Sequence, residues 1–175
     1  MRHLLWLLAL TSCLSVAQIP ETDWLDLMPE SDRIALENMP EIDHQGAELE
    51  ADFAAAGGLK QAQGLPEVMY SAKTVPALNG QTLRLGGYPV PLNTDAKGRV
   101  TEFFLVPYPG ACIHVPPPPP NQIVLVRYPK GLEITDIYEP LWVTGGLKIE
   151  PVSNAMADAA YALDAAQVAA VEEDF

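Results

Sequence analysis

The chain has 175 residues, 49% of them hydrophobic, and carries a formal net charge of −13 at pH 7. This length suits one domain with an extension. The acidic balance excludes nucleic acid as a partner, because binding to phosphates needs a basic surface. It suits a cationic partner, a metal ion or simple solubility.

The N-terminus predicts export. Arg2 gives a short basic region, Leu4–Leu14 is apolar, and Ser15-Val16-Ala17 is a small-residue cleavage signal. We therefore expect residues 1–17 to be a signal peptide and the rest to be a soluble periplasmic protein. The alternative is a lipid-anchored protein acylated at Cys13, and only then do we expect membrane contact. No other stretch approaches the ~20 apolar residues of a membrane span.

Residues 18–70 form an acidic, partly helical N-terminal extension. Pro29 near the start and Pro40 after the end predict a helix over Glu30–Asn38. Glu48–Ala56 also has helical propensity, and glycine- and proline-containing linkers follow it.

Residues 71–175 change to strand patterns. Asn79-Gly80 and Asp95–Gly98 are turn signals, and glycine pairs inside two strands predict bulges or sharp bends. Alanine-rich propensity predicts a helical turn near Ser153–Asp158 before the last strand. The five predicted strands are Gln81–Leu92, Arg99–Val106, Ile123–Arg127, Leu141–Ile149 and a closing strand from about Ala160.

Five short strands, two of them bent at glycines, predict a small closed or nearly closed barrel. The predicted fold class is therefore mainly β, a small five-stranded OB-like barrel with a short helical N-terminal extension. A small open sandwich is the alternative.

The loop between the second and third strands carries the residues that suggest chemistry. Cys112 and His114 lie on one side of the chain if this segment is extended, because residues i and i+2 share a face. Thiolate and imidazole are ligands for zinc or copper. His44, in an acidic stretch of the extension, is the candidate third ligand, so we predict a zinc site at Cys112, His114 and His44.

Other interpretations of this loop remain open. Cys112 is simply buried in the plainest one, since an inert cysteine is common. A Cys–His nucleophile is disfavoured, because side chains at i and i+2 rarely allow the geometry that catalysis needs. The amides of Asn121 and Gln122 are expected to satisfy backbone groups, and Pro116–Pro120 to shape the loop.

The loop and its flanking strands resemble a known family. The segments that carry the resemblance are Leu78–Gln81, Gly87–Leu92, Thr101–Tyr108 and Gly110–Val115, followed by the prolines and Asn121-Gln122. Together they resemble the exported bacterial proteins of domain of unknown function 3299, over roughly Val75 to Val171 and near Trp24–Pro29. The resemblance implies a role in metal handling beside ABC-transporter components, with no enzymatic activity.

We therefore predict a periplasmic metal-binding accessory protein, with zinc as the metal and a transport system as the partner. The alternative is a non-enzymatic envelope adaptor that binds another protein through the barrel and the proline loop. The scarcity of ligands favours the adaptor, whereas the lone cysteine beside a histidine favours the metal-binding protein.

Overall fold

The computed structural model describes residues 19–39, 59–60, 64–111 and 117–171. Within these ranges the chain forms six strands, one α-helix and four short 3-10 helices. The strands and the α-helix are β1 (Glu21–Thr22), α1 (Glu30–Glu37), β2 (Thr82–Thr94), β3 (Val100–Val106), β4 (Val124–Leu132), β5 (Leu141–Ser153) and β6 (Asp158–Ala170). The 3-10 helices are Trp24–Leu27, Glu67–Tyr70, Pro76–Leu78 and Pro120–Gln122.

In the described part of the chain, every helix is too short or too polar to cross a membrane.

Strands β2 to β6 close into a five-stranded barrel. The hydrogen-bonded order is β2-β3-β4-β6-β5, and β5 pairs back onto β2. All of these pairs are antiparallel except β4 and β6, which run parallel. In an OB-like barrel, the first barrel strand pairs with two others to close the sheet, and one pair of strands is parallel. Strand β2 and the β4–β6 pair have these roles here, which confirms the predicted fold class.

Strand β2 pairs with two neighbouring strands, and the change from one neighbour to the other occurs at its glycine pair. Residues up to Gly87 pair with β5, and residues from Tyr88 pair with β3. A Cβ atom at Gly87 would lie 2.6 Å from the carbonyl oxygen of Val106, and one at Gly86 would lie 2.8 Å from the Trp142 ring. A side chain at either position would therefore collide with a neighbouring strand, with its backbone at Gly87 and with the Trp142 ring at Gly86.

Two hydrophobic clusters use opposite faces of the same strands. Phe103 and Leu105 of β3 point into the barrel, whereas Phe104 and Val106 belong to a second cluster on the other face. The second cluster also contains Leu125 of β4 and Ile123 just before it, Ala162 of β6, and Leu59 and Ala111 from connecting segments. Strands β3 and β4 are therefore covered on both sides, with Leu59 supplied by the extension.

The beginning of the extension packs against the barrel. Strand β1 adds to β2 in parallel, pairing Glu21 with Arg84, and Leu27 is fully buried in the barrel cluster. The Tyr161 hydroxyl, inside the barrel, donates to the Leu27 carbonyl at 2.8 Å and accepts from the Val75 amide at 2.7 Å. One buried phenol thus joins two N-terminal segments to β6.

Most local predictions are confirmed, and one is wrong. The helix at Glu30 and the turns at Asn79-Gly80 and Asp95–Gly98 are present, with Gly80 and Gly98 at positive φ. The helical turn predicted near Ser153–Asp158 does not form: β5 continues to Ser153, and β6 begins at Asp158. The Asn154 side chain closes the intervening turn by accepting from the amides of Met156 and Ala157. The predicted helix over Glu48–Ala56 lies outside the described residues.

Candidate functional site

The three predicted metal ligands, Cys112, His114 and His44, lie outside the described residues, as does Cys13 of the predicted leader. The chain on each side of the Cys112–His114 segment is described. Ala111 is 2% exposed and belongs to the second hydrophobic cluster. Pro117 is also buried, so the segment begins and ends at positions that are anchored in the fold.

The described part of the proline run is buried rather than presented at the surface. Pro117 to Pro120 are all buried, and Pro120–Gln122 form a 3-10 turn that leads into β4. This agrees with the expectation that the prolines shape the loop. A docking role for the run would have to use residues before Pro117.

The amides that end the proline run bind backbone carbonyls, as predicted, but these carbonyls lie in N-terminal segments and not only in the loop itself. Gln122 Nε2 donates to the Trp24 carbonyl at 2.7 Å. Asn121 Nδ2 donates to the Lys73 carbonyl at 3.0 Å and to Asp32 Oδ2 at 3.1 Å. The loop and the extension are therefore fastened to each other through two buried side chains.

The extension approaches the loop at a second place. Leu59 is buried in the cluster that contains Ala111, and its amide donates to the Met156 carbonyl. The neighbouring Lys60 ammonium pairs with the Asp158 carboxylate at 2.6 Å. Leu59 lies fifteen positions after His44 in the sequence, and Ala111 lies one position before Cys112. Leu59 and Ala111 thus share one cluster.

A buried carboxylate, which sequence patterns did not single out, joins α1 to the barrel. Asp32 is 3% exposed and accepts hydrogen bonds from Ser71 Oγ, Lys73 Nζ and Asn121 Nδ2. Burial alone would raise the pKa of Asp32, but the bonds from Ser71 and Lys73 outweigh burial and hold the pKa below its ordinary value. In the sequence, Asp32 looks like an ordinary acidic residue in the first turn of a helix.

A cleft of about 470 Å³ lies beside Asp32, between α1 and the segment Glu67–Lys73. Its floor is the Asp32 carboxylate, and Lys73 and Glu67 stand at its rim. Because the Asp32 carboxylate already accepts hydrogen bonds from four side chains, with Ser31 as the fourth donor, we assign the cluster to fastening the helix rather than to chemistry.

Carboxylates also gather on the outer surface of the barrel, around Arg127. The guanidinium binds Glu150 through two hydrogen bonds and lies within 4 Å of Glu102 and Asp164. Arg127 lowers the pKa of Glu150, and Lys148 lowers that of Asp164. The positive charges of Arg127 and Lys148 thus offset much of the negative charge of the three neighbouring carboxylates. Nowhere in the described ranges do three or more histidine, cysteine or acidic side chains form a group that could hold a metal ion.

The fold and these contacts define a class: a closed OB-like barrel whose N-terminal arm, residues 19–39, is fastened to the end of the proline run at Asn121 and Gln122. The sequence profile of the family described as "Protein of unknown function (DUF3299)" matches residues 24–170. The chain therefore belongs to the DUF3299 family.

A solved structure supports this assignment. The chain resembles a DUF3299 family protein from Pseudomonas aeruginosa PAO1, whose crystal structure was determined at 2.45 Å resolution. The two are 37% identical, with a TM-score of 0.69, over 91% of this chain and 100% of that chain. Comparison with curated proteins gives no match.

Proposed function

We propose that this protein is an exported, non-enzymatic zinc-binding accessory of a transport system, with Cys112, His114 and His44 as ligands. The support from sequence is the pairing of a thiol with an imidazole two residues away, ligand types that zinc prefers. The support from the described residues is the second hydrophobic cluster. It joins Leu59 of the extension to Ala111 beside Cys112.

Anchoring of the loop favours binding by lowering its entropic cost. Ala111 and Pro117, which flank the segment that holds the thiol and the imidazole, are both buried. A restrained pair of ligands loses less conformational entropy when a metal binds. The extension is fastened to the barrel by Leu59 and Lys60, which lie fifteen and sixteen positions after His44 in the sequence.

The test is calorimetric titration of the purified protein with zinc. Wild type should bind one zinc ion per chain, and Cys112→Ser with His114→Ala should lose that binding while keeping the circular dichroism of the barrel. His44→Ala should weaken binding less than the double substitution. Binding should also weaken as the pH falls, because protons compete with zinc for the thiolate and the imidazole.

A matched control separates a specific site from the general attraction of an acidic surface. Glu139→Gln removes one exposed carboxylate in the loop before β5 and should leave zinc binding unchanged. If the double substitution binds zinc like wild type, the ligands are elsewhere. If wild type binds none, the proposal fails and the adaptor function takes its place.

A further inference from the structure

A cleft of about 350 Å³ opens at the surface where the N-terminal arm meets β2 and β5. Its lining residues are Glu21, Thr22, Asp23, Trp24, Gly86 and Trp142. This volume lies within the range of roughly 300–1,000 Å³ that is usual for small-molecule sites. The cleft shares no residue with the proposed zinc site, so its use would be a further function of the protein.

Two indole side chains meet at Gly86 and form the apolar part of the cleft. Trp24 Nε1 donates to the Gly86 carbonyl at 2.6 Å, and Trp142 lies opposite Gly86 in the β2–β5 pair. A Cβ atom at Gly86 would lie 2.8 Å from the Trp142 ring, so the ring lies directly over the glycine. Both tryptophans are half-buried, and each therefore presents part of its indole to the cleft.

The guanidinium of Arg84 stands beside the cleft and is already paired. Its Nη1 atom lies 3.2 Å from Glu21 Oε1, and its Cζ atom lies 4.1 Å from the centre of the Trp142 ring. Arg84 thus occupies the position over Trp142 that an external cation would take. Its side chain is still 29% exposed, so the remaining N–H groups can donate to a ligand.

The neighbouring polar side chains have free hydrogen-bonding capacity. Asp23 Oδ1 accepts from the Leu25 amide at 2.8 Å and so caps the short helix that follows. Among the described residues, Asp23 Oδ2 and the Thr22 hydroxyl have no hydrogen-bond partner. The cleft therefore combines indole surface with acceptors and donors at its rim.

We propose that this cleft binds a neutral saccharide, whose pyranose ring packs on an indole and whose hydroxyls bond to Asp23, Thr22 and Arg84. A pyranose ring has flat C–H faces that suit an aromatic surface, and hydroxyls at its edge that both donate and accept. A carboxylate is the stronger kind of acceptor for a hydroxyl donor. The pairing of Arg84 within the chain favours a neutral ligand over a cation.

The experiment is titration of the full chain with four small saccharides, followed by tryptophan fluorescence and calorimetry. The probes are the methyl pyranosides of glucose, galactose and mannose, and N-acetylglucosamine. Two of the three tryptophans in the chain line the cleft, so a bound ring should shift the emission and shield indole from acrylamide. At least one probe should bind with a Kd of about 1–10 mM, as expected for so small a ligand.

Substitutions within the cleft test which groups bind the saccharide. Asp23→Ser keeps a helix-capping side chain but removes the carboxylate, and should weaken binding about tenfold. Trp142→Leu removes one indole and should abolish detectable binding in calorimetry while circular dichroism shows an intact barrel. Asp26→Ser and Tyr138→Leu are matched controls, because they change an exposed carboxylate and an exposed aromatic ring outside the cleft. Both controls should bind like wild type.

The ionic strength distinguishes a neutral ligand from a cation. Saccharide binding should be the same at low and high salt, whereas binding of the probe n-butylammonium would weaken as salt screens the carboxylates. Salt-sensitive binding of n-butylammonium without binding of any saccharide overturns the proposal in favour of an organic cation. The proposal also fails if no probe binds wild type, or if Asp23→Ser binds as tightly as wild type. Asp23→Ser decides the matter if Trp142→Leu does not fold.

Discussion

At the scale of single residues, Asp32 shows how one carboxylate can join distant parts of the chain. Its side chain accepts from Ser71, Lys73 and Asn121, which lie 39, 41 and 89 positions further along the sequence. Asn121 is fully buried. Its Oδ1 atom has no hydrogen-bond partner in the described structure, so the bonds made by its Nδ2 atom are all that compensate the burial of this amide.

We expect Asp32→Ala to lower the free energy of unfolding by about 2–3 kcal/mol. The reason is that a buried donor and a charged partner lose their acceptor. Asp26→Ala is the matched control, since Asp26 is an exposed carboxylate whose pair with Arg33 spans 3.9 Å. The control should change stability by no more than about 0.5 kcal/mol. Urea denaturation of the two variants compares them, and equal effects would contradict the role given to Asp32.

The stabilisation by Asp32 should also depend on pH in a definite direction. Because the pKa of Asp32 is lowered in the folded protein, its contribution is fully present above the ordinary value of about 4 and is lost as the pH falls through the lowered pKa. The difference in stability between wild type and Asp32→Ala should therefore be constant near neutral pH and shrink below pH ~4. Melting temperatures measured across this range test the sign.

At the scale of strands, the second glycine pair closes the barrel by letting β5 approach β6. A Cβ atom at Gly145 would lie 2.2 Å from the Asp164 carbonyl oxygen and 2.7 Å from Leu163 Cδ2. The register between β5 and β6 shifts between Thr144 and Gly145. At the next position, Gly146, an added Cβ would meet nothing within 4 Å. Adjacent glycines thus have different structural roles.

We expect Gly145→Ala to destabilise the protein by about 3 kcal/mol or to prevent folding, because the backbone of β6 must move to accept the methyl group. Gly146→Ala should change stability by less than about 1 kcal/mol, since the site is open and alanine reduces the entropy of the unfolded chain. Thermal melts of the two variants provide the comparison. Similar melting temperatures would show that β6 can shift without cost.

At the scale of the whole molecule, the N-terminal arm contributes to the barrel core. Leu27 is 0% exposed and lies in the cluster inside the barrel, whereas Leu25 in the same short helix is 43% exposed. The predicted boundary between extension and barrel lies between residues 70 and 71. Leu27 belongs to the extension by chain position, yet its side chain packs inside the barrel. The arm is expected to unfold together with the barrel.

We expect Leu27→Ala to cost about 2–5 kcal/mol, the range for truncating a buried leucine. Leu25→Ala, the matched control, should cost no more than about 0.5 kcal/mol. Chemical denaturation followed by both tryptophan fluorescence and circular dichroism measures the loss and its cooperativity. Coincident transitions are expected for both variants. An arm transition that precedes the barrel transition in wild type would show that the arm folds independently.

Local sequence rules were sufficient for features whose partners are close in the chain. The turn at Asp95–Gly98 was predictable because the Asp95 carboxylate binds the amides of Lys97 and Arg99, and Gly98 provides the positive φ. Asn79-Gly80 and the helix at Glu30 follow from similarly local signals. The glycine pairs predicted bulges or sharp bends inside two strands, and the register between β5 and β6 does shift at Gly145.

Where partners lie far apart in sequence, local rules failed or were silent. Alanine-rich propensity favoured a helical turn at Ser153–Asp158, yet the chain becomes a hairpin. The reason is that Tyr161 and Leu163 fill the barrel and their backbone pairs with both β4 and β5. Asp32 gave no signal at all, because each carboxylate in a first helical turn has the same local pattern whether or not it is buried.

The sequence by itself determined the acidic balance, the order of the five barrel strands along the chain and the turns at Asn79-Gly80 and Asp95–Gly98. Cys112, His114 and His44 stay a prediction of the sequence. Only the tertiary structure decided that Leu27 enters the barrel, that Leu59 covers its outer face beside Ala111, and that Asp32 and Tyr161 fasten the arm. The physical reason is that turns and strand patterns depend on neighbouring residues. Burial and buried hydrogen bonds instead depend on which distant segments the closed barrel brings together.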